Sequence, residues 1–143
     1  VPLLAYWPGT IQPGGSDHLS AFWDVLPTLG ELANQNVPAG LDGSSFAPQL
    51  LGKHRYQRQH EPLYWEWGRS GGDFPKQAVR SGRWKLIRFL GNRPRLELYD
   101  LAVDPGETNN VADRRRDVVS RLKNIMKEEH TPSRAYPLPK RRP

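Results

Sequence analysis

A chain of 143 residues suits one ordinary domain or part of a larger one, and 36% hydrophobic residues with 14 prolines and 13 glycines describe a turn-rich fold that leans on other structure. The absence of cysteine excludes disulfides and thiolate-bound zinc. A formal charge of +6 favours anionic partners (sulfated glycans, phosphate, nucleic acid or acidic lipid), while no apolar run reaches the length of a membrane span and no signal peptide is visible.

Val1 to Trp7 reads as a buried strand, ended by Pro8-Gly9, and Thr10 to Ser16 as a loop. A strand at the first residue has no neighbour before it, so it asks for a sheet supplied from elsewhere. A helix is expected from about Asp24 to Asn34, with Asp24 as N-cap and Pro27 tolerated in the first turn. Leu26, Leu29 and Ala33 share its apolar face, widened by Val25 and Leu32. Asp42 to Ser45 is a turn, Phe46 to Leu51 a short helical piece ending at Gly52, and Lys53 to Gln59 a polar, exposed stretch.

Leu63-Tyr-Trp-Glu-Trp67 returns to strand chemistry, aromatic and alternating, with Leu63, Trp65 and Trp67 on the core side. The segment from Gly68 to Lys76 is a loop. Two apolar runs then flank Ser81-Gly82, a two-residue hairpin connector. Arg83 to Arg88 and Arg95 to Leu101 alternate as half-buried strands, with Leu96 and Leu98 inward. Asp104-Pro-Gly-Glu107 predicts a type II turn, in which proline presets one φ and Gly106 supplies a positive one. Val118, Val119, Leu122, Ile125 and Met126 mark an amphipathic helix over about 113–129, whose end charges oppose the helix dipole. From Thr131 the chain reads as an extended tail ending in the basic Lys140 to Arg142.

No constellation here carries chemistry by itself. His18, His54, His60 and His130 lack zinc-site spacing, and Asp17, Asp24, Asp42 and Asp73 lie in separate turns, where capping explains each. Gly68-Arg-Ser-Gly-Gly72 matches GxSxG in letters only, since it falls in a loop between two strands and not at a strand-to-helix elbow; there is no Ser-His-Asp arrangement and no phosphate-cradling glycine loop.

The ordered series VPLLAYWPGTIQPGGSDHLSAFWDVLPTLGELA, LDGSSFAPQLLG, QAVRSGRWKLIR and ELYDLAVDPGETNNVA nevertheless resembles the end of the sulfatase family, the arylsulfatase-like sulfuric ester hydrolases of alkaline-phosphatase-like fold. The resemblance runs from Val1 to about Ser133. SDHLSAFWDVLPT and YWEW look closest to bacterial N-acetylgalactosamine- or glucosamine-sulfatases. It implies an α+β piece: residues 1–52 as the strand and helix closing an α/β catalytic domain, 53–61 as linker, 62–130 as a C-terminal subdomain, and 131–143 as tail. That subdomain would hold about four antiparallel strands packed with the C-terminal helix.

The resemblance also implies calcium and a formylglycine, made from Cys or Ser in a C/S-x-P-x-R motif, upstream of Val1. Every serine here lacks that context, so no catalytic residue or cofactor site transfers, and the chain alone is expected to be inactive. The implied setting is periplasmic or secreted, the implied partners an N-terminal catalytic domain and a sulfated carbohydrate; membrane and nucleic acid are not expected. His60, Glu66, Trp67, Arg69, Lys76 and Gln77 are the substrate-facing candidates, because sugar rings stack on aromatic faces, amides and carboxylates bind hydroxyls, and cations pair with sulfate. The competing expectation is a free-standing basic module gripping anionic polymer through Arg80, Arg83, Lys85 and Arg88.

Overall fold

The computed structural model describes residues 3–67, 76–90, 94–135 and 137–138. The chain divides into two compact units, Val1–His60 and Glu61–Pro143.

In the first unit, Leu3 to Trp7 is not a strand. A ladder needs a partner strand, and among the described residues all strand pairing lies within one four-stranded sheet of the second unit. A turn at Pro8-Gly9 follows, where Thr10 and Ile11 donate to the Trp7 carbonyl and Gly9 takes φ +73°. A 3₁₀ turn over Phe22–Asp24 runs directly into α1 (Val25–Leu32). Asp24 therefore has helical backbone (φ −78°, ψ −15°), and its side chain does not cap α1. The buried side of α1 is Pro27 and Thr28, whereas Leu26 and Leu29 are exposed, against the expected apolar face. Thr28 anchors the next segment: its hydroxyl donates to the Asp24 carbonyl at 2.6 Å and accepts the Phe46 N–H at 3.0 Å. A short α2 (Ala47–Leu50) and a 3₁₀ turn over His54–Tyr56 complete the unit. Gln57, expected in an exposed stretch, is buried, accepting the Gln49 N–H and donating to the Ser45 and Arg58 carbonyls.

The second unit is a four-stranded antiparallel meander, β1 (Leu63–Trp67), β2 (Lys76–Ser81), β3 (Trp84–Phe89) and β4 (Arg95–Asp100), with α3 (Arg116–Glu129) against one face. Ser81 pairs with Trp84, so the hairpin loop is Gly82-Arg83, one residue later than the sequence suggests. Only Gly82 takes positive φ, +57°, which suits a type II′ connection. Tyr64, Val79, Leu86 and Leu98 lie in one row, and Val79, Leu86 and Leu98 are buried with Leu122 and Met126 of α3. The face that α3 covers is thus that of Tyr64 and Glu66, while the reverse face, that of Trp65, also buries Leu63, Ala78 and Tyr99. The Asp104 turn is closed by the Glu107 N–H donating to the Asp104 carbonyl, yet the left-handed residue is Glu107 (φ +54°), not Gly106. The reason lies in two anchors: the Asp104 carboxylate accepts the Thr108 and Asn109 N–H groups, and Glu107 holds Lys85 Nζ at 2.6 and 2.8 Å. Among the described residues no helix is long and apolar enough to cross a membrane.

Candidate functional site

The six substrate-facing candidates fall in four places. His60 belongs to the first unit, where its Nε2 lies 2.8 Å from Oδ1 of the fully buried Asp24. The same carboxylate accepts the Ala21 N–H at 2.7 Å and the Ser44 N–H at 2.8 Å, so Asp24 ties three segments together. A carboxylate oxygen accepts, so His60 carries a proton on Nε2. Beside it, burial pushes the His18 imidazole below its ordinary pKa, and the nearby His60 adds to that shift.

Glu66 and Gln77 are direct cross-strand partners on the face that α3 covers. Gln77 is buried and donates from Nε2 to the Tyr64 hydroxyl at 2.6 Å, while Arg88 donates to its Oε1 at 3.4 Å. Burial pushes the Tyr64 hydroxyl well above the ordinary tyrosine pKa, so it stays protonated at neutral pH. Glu66 Oε1 meets Nδ1 of His130, the residue closing α3, at 2.6 Å. This network joins sheet to helix end. Its amide and hydroxyl groups are already partnered, which leaves the exposed side of Glu66 as its point of access to solutes.

Trp67 and Lys76 are cross-strand partners on the reverse face, one residue along from that network. Trp67 is 48% exposed. Arg69 lies outside the described residues. Phe89 and Arg95 share the row of Trp67 and Lys76, and sequence reasoning passed over both. Alternation assigns each to a face, but only the register, set two hairpins away, brings them together.

The four basic residues of the hairpin do not form a continuous strip. Arg83 in the turn makes a bidentate pair with Asp100, Lys85 pairs with Glu107, Arg80 bonds its own turn at the Gly82 carbonyl, and Arg88 lies on the α3 face beside Gln77. Arg83 and Lys85 are thus matched by carboxylates, while Arg80 and Arg88 keep their charge against neutral acceptors on opposite faces of the sheet, so the hairpin does not offer an anionic polymer the continuous cationic strip expected of a basic module.

The first unit also has an apolar groove of about 490 Å³, lined by residues including Leu3, Tyr6, Trp7, Ile11, Leu29 and Phe46. Its chemistry suits an apolar packing partner better than a sulfated sugar. Among the described residues no three His, Asp or Glu side chains converge to hold a metal ion.

A family model described as N-sulphoglucosamine sulphohydrolase, C-terminal, matches residues 1–132. Arylsulfatase A from Homo sapiens is 34% identical over an alignment covering 87% of this chain and 29% of that protein. The Delta 4,5-hexuronate-2-O-sulfatase of Bacteroides thetaiotaomicron is 39% identical, over 78% of this chain and 24% of its own. The crystal structure of a protein from the same bacterium, assigned to the sulfatases, superposes with a TM-score of 0.66 at 32% identity, covering 73% of this chain and 23% of that one. The chain thus spans under a third of the length of the curated relatives it matches.

Proposed function

Because the chain belongs to the N-sulphoglucosamine sulphohydrolase C-terminal family, we propose that it forms the C-terminal part of a sulfatase that hydrolyses sulfate esters on a carbohydrate. The observation that carries this reading is the match over residues 1–132 together with the meander-and-helix fold. In this reading residues 1–52 close the catalytic domain, 53–61 link, 62–130 form the subdomain bordering the substrate cleft, and 131–143 are a tail. The apolar groove and the exposed Leu4, Phe22, Leu26 and Leu29 support it, since such a surface is what a catalytic domain would cover.

Calcium and formylglycine, which the family resemblance implies, do not fit the residues present. There is no cysteine, no Ser-x-Pro-x-Arg and no converging acidic cluster among the described residues, so no chemical step is derived through either group. Both would belong to sequence preceding Val1. This chain would contribute recognition: Trp67 and Lys76 on one face of the sheet, Glu66 with Gln77 behind it on the other, and His60 through its hold on Asp24. Arg69 completes the proposed set. The cellular setting proposed is periplasmic or secreted, and the partners are the catalytic domain and a sulfated sugar.

The deciding experiment is to sequence the coding DNA upstream of the Val1 codon and to assay the product of the whole reading frame on an aryl sulfate. A frame carrying C/S-x-P-x-R, with turnover abolished by changing its first residue, is the expected result. A start codon directly before Val1, or no turnover from a frame carrying the motif, would overturn the reading.

A further inference from the structure

The reverse face of the sheet carries a row that no single stretch of sequence displays. Register sets Trp67 of β1 opposite Lys76 of β2, Lys76 opposite Phe89 of β3, and Phe89 opposite Arg95 of β4. Directly opposed residues of antiparallel strands project to the same side, with Cβ atoms about 5 Å apart. Aromatic and cationic side chains therefore alternate across the full width of the sheet, at one end of it.

The row is organised around Phe89. The Arg95 guanidinium lies 3.4 Å from the centre of its ring, and Lys76 Nζ approaches the same ring at 5.8 Å. Arg95 is further steadied by Glu97, which accepts from its Nε at 2.8 Å. Among the described residues Lys76 makes no ion pair. Trp67, at the β1 end, is 48% exposed. A merely solvated sheet face would carry polar side chains opposite one another. Here a half-exposed indole stands beside Lys76, and Lys76 and Arg95 converge on the Phe89 ring from the strands on either side of it, an arrangement with one apolar plate and two charges.

We propose that Trp67, Lys76 and Arg95 form a subsite for an anionic pyranose, a uronate or sulfated hexosamine, with the sugar ring on the Trp67 indole and its carboxylate or sulfate ester reaching Lys76 and Arg95. Charge complementarity selects the occupant: two cations against the one carboxylate of Glu97, itself paired to Arg95, leave the row net positive. The apolar plate selects a ring over a bare anion. Phe89 acts by positioning the cations, and substrate does not need to touch it. The inference rests on the sulfatase reading only for the kind of sugar expected.

The test titrates the 143-residue chain with a monosulfated hexuronate–hexosamine disaccharide, with its desulfated and decarboxylated counterpart, and with inorganic sulfate. Tryptophan fluorescence and backbone amide shifts follow binding. Saturable millimolar-range binding of the anionic disaccharide is expected, with amide shifts around residues 67, 76 and 95. Trp67→Ala and Lys76→Gln are each expected to weaken it about tenfold, and Lys127→Gln on α3 to leave it unchanged. Both test positions are at least partly open to solvent, so unchanged dispersion of the amide spectrum certifies that the variants fold. No saturable binding up to roughly 10 mM would overturn the subsite, as would equal affinity for the uncharged disaccharide or for inorganic sulfate, or insensitivity to both variants. An overturned subsite leaves the upstream-motif test of the sulfatase reading standing. Failure of that test alongside Trp67-dependent binding would retire the sulfatase reading alone.

Discussion

Asp24 is the residue on which the first unit turns. Its carboxylate, wholly buried, accepts two backbone N–H groups and the His60 imidazole, joining the start of α1 to residues 44 and 60. Removing a buried acceptor strands every donor that faced it. Asp24→Ala is therefore expected to cost about 2–4 kcal/mol in urea unfolding, and His60→Ala distinctly less, because the two backbone bonds survive. Equal losses in the two variants would contradict this account. Asp104 offers a test in pH. The Thr108 and Asn109 N–H groups hold its carboxyl below the ordinary aspartate value of 3.8. A depressed folded pKa means the turn's contribution is complete above the unfolded value and is lost as pH falls through the lower folded one. The Thr108 and Asn109 amide resonances should accordingly titrate with a midpoint below 3.8, and Asp104→Asn should remove that titration. A midpoint at or above the ordinary value would refute it.

At the scale of elements, α3 and the strands were legible because each meets its neighbours through a strict period. Leu122 and Met126 are buried one helical turn apart, and Val79, Leu86 and Leu98 stack in one row across three strands. Leu122→Ala is expected to destabilise the second unit by about 2–5 kcal/mol by the chemical-denaturation midpoint, since a fully buried leucine leaves a cavity. Gly82→Val should cost about 1 kcal/mol or more in the same measurement, because its positive φ opposes a branched side chain. What failed to read was what depends on distant partners. Leu3 to Trp7 has strand composition but, among the described residues, no strand pairs with it, and Leu26 and Leu29 form a stripe that stays more than half exposed. Glu107 takes a left-handed conformation because Lys85, a strand away, holds its carboxylate; a local turn rule naturally chose the glycine before it. The candidate site divides along the same line. Alternation separates Trp67 from Glu66, but the row joining Trp67 to Arg95 exists only through register.

For the whole molecule, the balance between the two units is uneven. The second closes a core of Val79, Leu86, Leu98, Leu122 and Met126, whereas the first keeps Leu4, Tyr6 and Phe22 more than four-fifths exposed. Exposed apolar surface of that kind drives association. The isolated chain is expected to bind a hydrophobic dye and to self-associate with concentration in sedimentation, and Phe22→Ser to lessen both; a monomer that ignores the dye would count against it. The strand order β1-β2-β3-β4 has a consequence for time as well as for shape. Every ladder joins segments adjacent along the chain, so the sheet assembles by closing short loops, with little entropy surrendered before each contact forms. Refolding of the second unit should run in a fast phase, on the order of milliseconds, whatever pace the first unit keeps. On a ribosome, such a unit would take shape almost as soon as α3 cleared the exit tunnel.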